Sequence, residues 1–218
     1  MDFSWSEKQL EFYDAVVEFA RTQLNDDVVL RDKNSVFPME LWQKCADFGI
    51  QSLPLPEHYS QRKEVDFLTA ILAMEALGYA CSDNGLNFAL NAQMWTVQLP
   101  LLRFGSDELK EQYLPGMCKG QIIGAHAITE PATGSDVFNM EASATRSDGG
   151  YIINGHKHYI SLGPIADIAL VFARTDPDAG KWGVSAFVVD TASDGVEVGA
   201  NREKMGLRTV PFGDLTFT

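Results

Sequence analysis

The hydrophobic period of this chain changes near its middle, and that change constrains the fold more than any other feature. Up to Gly120 apolar residues recur at helical spacing; from Gln121 onward they fall in short β-type runs separated by turn residues. In the first block Leu10, Tyr13, Val16, Val17, Ala20 and Leu24 mark one helix, with Ser4 and Glu7 as its expected capping box. Pro38 is placed to open a second helix with the face Leu41, Trp42, Cys45 and Phe48, and Gly49 to stop it. Leu53-Pro54-Leu55-Pro56 reads as an extended break. Asp66 caps a third helix that is apolar on most of its surface (Leu68, Ile71, Leu72, Met74, Leu77) and so is expected to be central. Residues 84–104 predict another helix, weakest at Pro100; Gly105 ends it, and Ser106 caps a short helix over 107–113.

In the second block 122–128 reads as a strand. Asp148-Gly149-Gly150 is a hairpin signal followed by Tyr151-Ile152-Ile153. Residues 168–173 and 184–189 are further strands across the turn-rich 175–180, and 196–198 and 215–217 are short ones. An all-helical block over 1–120 joined to an all-β block over 121–218 predicts an α+β chain of two domains.

Charge and cysteine spacing remove several function classes. The net charge is −13, from 30 acids and 17 bases, with no dense Lys/Arg run, which argues against nucleic acid as a partner. An anionic ligand would have to be met by local donors against that field. Cys45, Cys81 and Cys118 lie too far apart for a metal knuckle and are expected to be buried free thiols. No window is apolar enough to span a membrane, and Met1 to Ser6 carries no cationic start to a leader, so a cytoplasmic location is expected.

The chemistry concentrates in Thr129-Glu130-Pro131-Ala132-Thr133-Gly134-Ser135-Asp136 and in Lys157-His158-Tyr159-Ile160-Ser161. The first packs hydroxyls, a carboxylate, a rigid proline and a glycine behind an apolar run. Glu130 and Asp136 read as acceptors that hold the turn. His156 and His158 share one face of a strand, but with no third ligand nearby no metal site is expected.

These motifs, with Asn154-Gly155, Ala166-Asp167, Thr175-Asp176-Pro177, Gly183, Ala186-Phe187, Lys204-Met205-Gly206 and Arg208, occur in an order that resembles the acyl-CoA dehydrogenase family. Phe104-Gly105, Lys110, Tyr113-Leu114-Pro115 and Gly120 match the family's link between its helical and β domains. The resemblance implies an N-terminal helical domain followed by a β-barrel-like or β-sandwich middle domain, truncated at Thr218, without the family's C-terminal helical domain. It implies FAD, with His126, Ile128, Thr129, Gly134, Ser135, Tyr159, Ile160 and Ser161 at the cofactor. Tyr159-Ile160-Ser161 stands where the family usually has Trp-Ile-Thr, and His126 where it often has an aromatic or apolar residue.

Ser135, Met94 and Trp95 are implied at the substrate, an acyl-CoA or an acyl-carrier-protein thioester, which the family oxidises between its α and β carbons. An electron-transfer flavoprotein is implied as acceptor, and a homodimer or homotetramer as the assembly. The catalytic base is expected in the domain beyond these residues, so none of them is assigned that role. Pro56-Glu57-His58-Tyr59-Ser60-Gln61-Arg62-Lys63 replaces a glycine-rich loop usual in the family. Two other readings stand beside the dehydrogenase: a non-catalytic binding or assembly module on the same scaffold, and a flavin oxidase or oxygenase of the superfamily. A chain ending inside its β domain is expected to hold FAD weakly and to self-associate.

Overall fold

The computed structural model describes residues 4–63 and 65–218; Met1 to Phe3, part of the stretch inspected for a leader, lie outside them. Two compact units are present, one formed by residues up to Gln121 with Lys204–Val210, the other by Ile122–Glu203 with Pro211–Thr218.

The first unit is helical: α1 (Glu7–Gln23), α2 (Val28–Asn34), α3 (Met39–Phe48), α4 (Glu57–Ser60), α5 (Phe67–Ala80), α6 (Asn84–Gln93), α7 (Leu99–Phe104) and α8 (Asp107–Cys118). The capping box at α1 is Ser6 with Gln9, not Ser4 with Glu7: the Gln9 N–H donates to Ser6 Oγ, and Gln9 Oε1 accepts from the Ser6 N–H at 3.0 Å. Gly49 ends α3 at φ 106°, a conformation costly for a side chain. Asp66 caps α5 through the Thr69 N–H, and Ser106 caps α8 through the Leu109 N–H.

The Leu53-Pro54-Leu55-Pro56 segment is a turn after a short 3-10 helix, Ile50–Ser52, rather than an extended break. Between α6 and α7 a π turn, Met94–Gln98, lets the Leu99 N–H reach Met94 O, and the chain enters Pro100 at the first turn of α7, where its missing N–H is least costly. Helix α8 runs through Pro115 to Cys118, past the expected end, because Leu114, Met117 and Cys118 are buried there. Helices α2 and α4 were not legible: α2 buries no residue, so it carries no apolar stripe.

Helix α5 packs on α1 and buries Thr69, Ala70, Leu72, Ala73, Ala76, Leu77 and Ala80, yet Leu68 (61%), Ile71 (42%) and Tyr79 (69%) remain exposed. It is therefore central on one face only. Residues 204–210 join this unit through Asp83: its Oδ1 accepts from the Gly85 and Leu86 N–H groups and from the Thr209 hydroxyl.

The second unit is a curled seven-stranded sheet: β1 (Gly124–Ala127), β2 (Ser143–Ser147), β3 (Gly150–Ser161), β4 (Ile168–Arg174), β5 (Val184–Asp190), β6 (Val196–Val198) and β7 (Phe212–Phe217), in the order β1-β4-β2-β3-β7-β6, with β5 on β4. β1 and β2 both pair parallel to β4, β1 at Ile168 to Val171 and β2 at Arg174. Strand β3 is long enough to do two jobs. Its first residues pair with β2 across the Asp148-Gly149 turn, and Gly155 to Ser161 pair with β7. Its second half also lies against β1. β3 thus folds the hairpin back over β1 and places the two chemistry-bearing motifs side by side.

A methyl group added at Gly85 would stand 2.0 Å from Thr209 Oγ1 and 2.9 Å from the Val210 backbone nitrogen. We expect Gly85→Ala to cost about 1–3 kcal/mol by overpacking, measured by urea denaturation, and Thr209→Ala in the same chain to recover part of it.

Candidate functional site

Glu130 and Thr133 form a narrow backbone bridge (Glu130 N–H to Thr133 O 3.0 Å, Thr133 N–H to Glu130 O 3.2 Å), with Pro131 and Ala132 at the turn. Proline presets φ for such a corner. Gly134 follows, exposed, and a side chain built on it would meet nothing within 4 Å, so the backbone there is open to close approach. Asp136 accepts from Asn139 Nδ2, the turn role expected of it.

The turn is anchored from β3. Lys157, 0% exposed, donates from Nζ to Glu130 Oε1 at 2.7 Å and to Ile128 O at 3.1 Å. Glu130, 4% exposed, also accepts from the Glu141 N–H (2.6 Å) and the Ala142 N–H (3.0 Å). Burial pushes the Glu130 carboxyl up, but the bonds from Lys157 and the two amides outweigh it and hold the group below the usual carboxylate range. A buried carboxylate engaged by three donors is a structural acceptor, poorly suited to proton abstraction. The next residue of β3 completes the anchorage, the His158 N–H donating to Thr129 O at 2.8 Å.

Beyond His158 the strand bulges, with a register shift between Lys157 and Ile160. Tyr159 takes φ 55° and Leu162 φ 64°, left-handed values uncommon for such residues. The bulge turns Tyr159 outward (57% exposed) and Ile160 inward (2%) and leaves Ser161 half-buried. Thr129, in the segment that leaves β1, is thus tied through the His158 N–H to the strand that carries Tyr159, Ile160 and Ser161. The Thr129, Ser135 and Ser161 hydroxyls make no hydrogen bond among the described residues.

A second network supports the bulge. Asp214 on β7 accepts from the Tyr159 N–H at 3.3 Å and takes Arg202 in a two-point bond (Nε to Oδ1 3.1 Å, Nη2 to Oδ2 2.6 Å). The Arg202 guanidinium lies 4.9 Å over the Tyr159 ring. Asp214 also corrects the metal argument: a third ligand does lie near His156 and His158, with His156 Nε2 to Oδ2 at 3.4 Å and His158 Nδ1 to Oδ1 at 3.2 Å. Arg202 already neutralises that carboxylate and places Nη2 3.3 Å from His158 Nδ1, so its charge opposes a cation there.

His126 on β1 sits 5.0 Å from the Phe172 ring; burial, then the Lys157 charge, lower its pKa. Met94 and Trp95 belong to the helical unit. Met94 is 0% exposed, and Trp95 donates to Asn91 Oδ1 at 2.8 Å. Arg208 donates to Lys33 O at 3.0 Å, capping the end of α2. The three cysteines are free and buried, and burial pushes the thiol pKa of each upward. No helix among the described residues is long and apolar enough to cross a membrane. Sequence reasoning missed Lys157 as an anchor, and with it Arg202 and Asp214. The one signal was at Lys157, a charge in a β-patterned segment where an apolar residue would serve packing.

An N-terminal helical unit followed by a curled β unit, with a Thr-Glu-Pro turn anchored on an adjacent Lys-containing strand, defines the class. Residues 6–121 match the family described as acyl-CoA dehydrogenase, N-terminal domain, and residues 125–218 that described as acyl-CoA dehydrogenase, middle domain. The chain belongs to the acyl-CoA dehydrogenase family.

Among similar proteins, an L-prolyl-[peptidyl-carrier protein] dehydrogenase of a Serratia species is 40% identical over 217 residues, which are 100% of this chain and 56% of that protein. The crystal structure of the prolyl acyl carrier protein oxidase AnaB superposes with a TM-score of 0.95 at 40% identity, covering 99% of this chain and 57% of the other. The FAD complex of PigA gives 0.95 at 39% identity, covering 100% and 57%. The chain thus spans a little over half the length of these relatives.

Asp214 supplies a pH test. Its pKa is lowered, chiefly by the hydrogen bond from Arg202, with burial opposing. A carboxyl lowered in the folded state contributes stability that is present above its unfolded pKa and is lost as pH falls through the folded value. The melting temperature should therefore fall on acidification below about pH 4, and Asp214→Asn should lower it at neutral pH while flattening that acid limb. An unchanged acid limb in thermal melts of the variant contradicts this account.

Proposed function

We propose that the protein is a flavin-dependent acyl-thioester dehydrogenase that binds FAD through its β unit and oxidises a carrier-protein-bound acyl group. The observation that carries the reading is the juxtaposition of Thr129 with the Tyr159-Ile160-Ser161 bulge. Two hydroxyls without hydrogen-bond partners among the described residues stand on segments joined by the His158 N–H to Thr129 O bond, with an open glycine backbone at Gly134.

These residues fit a flavin. Thr129, just past β1, and Ser161, at the end of β3, are half-buried donors suited to the polar edge of a planar ring. Ile160 and Leu162 point into the core and fix the strand, while Tyr159 offers an aromatic surface. Gly134 permits close backbone approach, and Ser135 adds a donor for a phosphate or the adjoining thioester. In a chain of net charge −13 such local donors are what an anionic cofactor requires. FAD, when bound, supplies acceptance of the hydride from the substrate's β carbon. The base that removes the α proton is not assigned to any residue of this chain, and Glu130 is unsuited to it.

Carrier-protein thioesters are favoured over coenzyme A by the similarity to the prolyl-carrier-protein dehydrogenase, and an electron-transfer flavoprotein is the proposed acceptor. The similarity to a protein named as an oxidase supports a second reading, in which dioxygen is the acceptor. A homo-oligomer is proposed in either case.

The test is anaerobic mixing of the full-length gene product with prolyl-carrier-protein and with acyl-CoA thioesters. Bleaching of the visible flavin band by the carrier-bound thioester is expected; a protein that carries no flavin, or whose band no thioester bleaches, removes the proposal. Slow reoxidation in air favours the dehydrogenase and rapid reoxidation the oxidase. Thr129→Val and Ser161→Ala should each weaken FAD binding about fivefold, the worth of one hydrogen bond of about 1 kcal/mol, measured by flavin fluorescence titration.

A further inference from the structure

The Lys157–Glu130 pair takes no part in a reaction step, yet it touches both neighbours of Thr129. Both side chains are buried, Lys157 completely. A buried ion pair is weak grounds for stability, since apolar residues of similar volume often serve as well or better. What apolar residues could not do is make the bonds seen here. The ammonium holds the Ile128 carbonyl on one side of Thr129 and the Glu130 carboxylate on the other. The carboxylate in turn gathers the Glu141 and Ala142 amides, and the His158 amide takes the Thr129 carbonyl. Together these bonds restrain Thr129 and the residue on each side of it, and its hydroxyl has no hydrogen-bond partner among the described residues.

We propose that Lys157 and Glu130 are positioning residues of the flavin site, holding Thr129 in the backbone conformation from which its N–H and hydroxyl serve the cofactor. The proposal rests on the flavin reading above. Because Glu130 neutralises Lys157 at 2.7 Å, the pair acts through geometry and not as a free positive charge drawing in an anion. That distinction is measurable: geometry leaves the salt dependence of FAD binding unchanged, whereas loss of a free charge flattens it.

The test compares the full-length gene product with the variant Lys157→Met/Glu130→Gln, which removes both charges together and so leaves no unpaired ion in the core. A glutamine carbonyl can still accept from one of the two amides, which the carboxylate takes at separate oxygens (Glu141 at Oε2, Ala142 at Oε1), so part of the turn's anchorage is kept. The expected result is an FAD dissociation constant raised roughly tenfold or more by misplacement of a donor, with an unchanged salt slope. The visible flavin bands should also shift. Hydrogen exchange at the His158 amide should accelerate, while the Cys81 amide, bonded to Leu77 O in the helical unit, keeps its wild-type rate.

An FAD affinity equal to wild type overturns the proposal, whatever the amide does, because the pair is then structural only. An unchanged His158 amide also overturns it, as does a flattened salt slope. Failure of the flavin reading itself is seen separately, as a wild-type protein that takes up no FAD. Exchange at His158 then reports on the Thr129 clamp without the cofactor. Should the double variant be unstable, Lys157→Leu/Glu130→Gln, which likewise isolates no charge in the core, gives the same three readouts.

Discussion

The candidate site depends on one interaction, the 2.7 Å contact between a fully buried lysine and a glutamate that has three donors. Isolating either charge in that core would cost several kcal/mol, so neither residue is dispensable while the other remains. The pair links the turn after β1 to the middle of β3, two places that are 27 residues apart in the chain. Without it, the Thr-Glu-Pro corner would be an ordinary surface turn with an exposed, adaptable threonine. With it, the corner inherits the rigidity of the sheet.

The bulge at Tyr159 carries a cost that the surroundings offset. A left-handed tyrosine is worth of order 1–3 kcal/mol in strain, and the Asp214 bond to its N–H and the Arg202 guanidinium over its ring hold it there. Arg202 and Asp214 lie on either side of the 204–210 segment, which itself packs with the helical unit. That segment is tied by Asp83, whose carboxylate caps α6 and accepts from Thr209. Family motifs that look like separate marks along the chain are thus held by specific polar contacts within each unit.

Much of this was legible beforehand. The change of period near Gly120 and the strands over 168–173 and 184–189 appear nearly where periodicity put them, because burial of one face writes itself into spacing. The caps at Asp66 and Ser106 were equally plain, since a capping side chain acts on amides two or three residues away. Helix α2 was hidden because it buries nothing. The true capping box at Ser6 was hidden by a second Ser–Glu pair in almost the same register. The run of α8 through Pro115 was hidden because propensity speaks against it and only packing for it.

At the site, the residues around Thr129 and Tyr159 were named from sequence, and Glu130 was already read as an acceptor. The partners that give these residues their geometry were not, nor was Asp214 as the third group beside His156 and His158. The sequence by itself determined the order of helix and strand, the family, and the side chains available to a ligand, all of which follow from local spacing and residue type. Only the tertiary structure decided that Lys157 reaches Glu130 and Ile128, that Tyr159 turns outward, and that Arg202 closes the histidine–aspartate cluster. Contacts across tens of residues depend on strand register and on one bulge, and neither leaves a periodic trace in the chain.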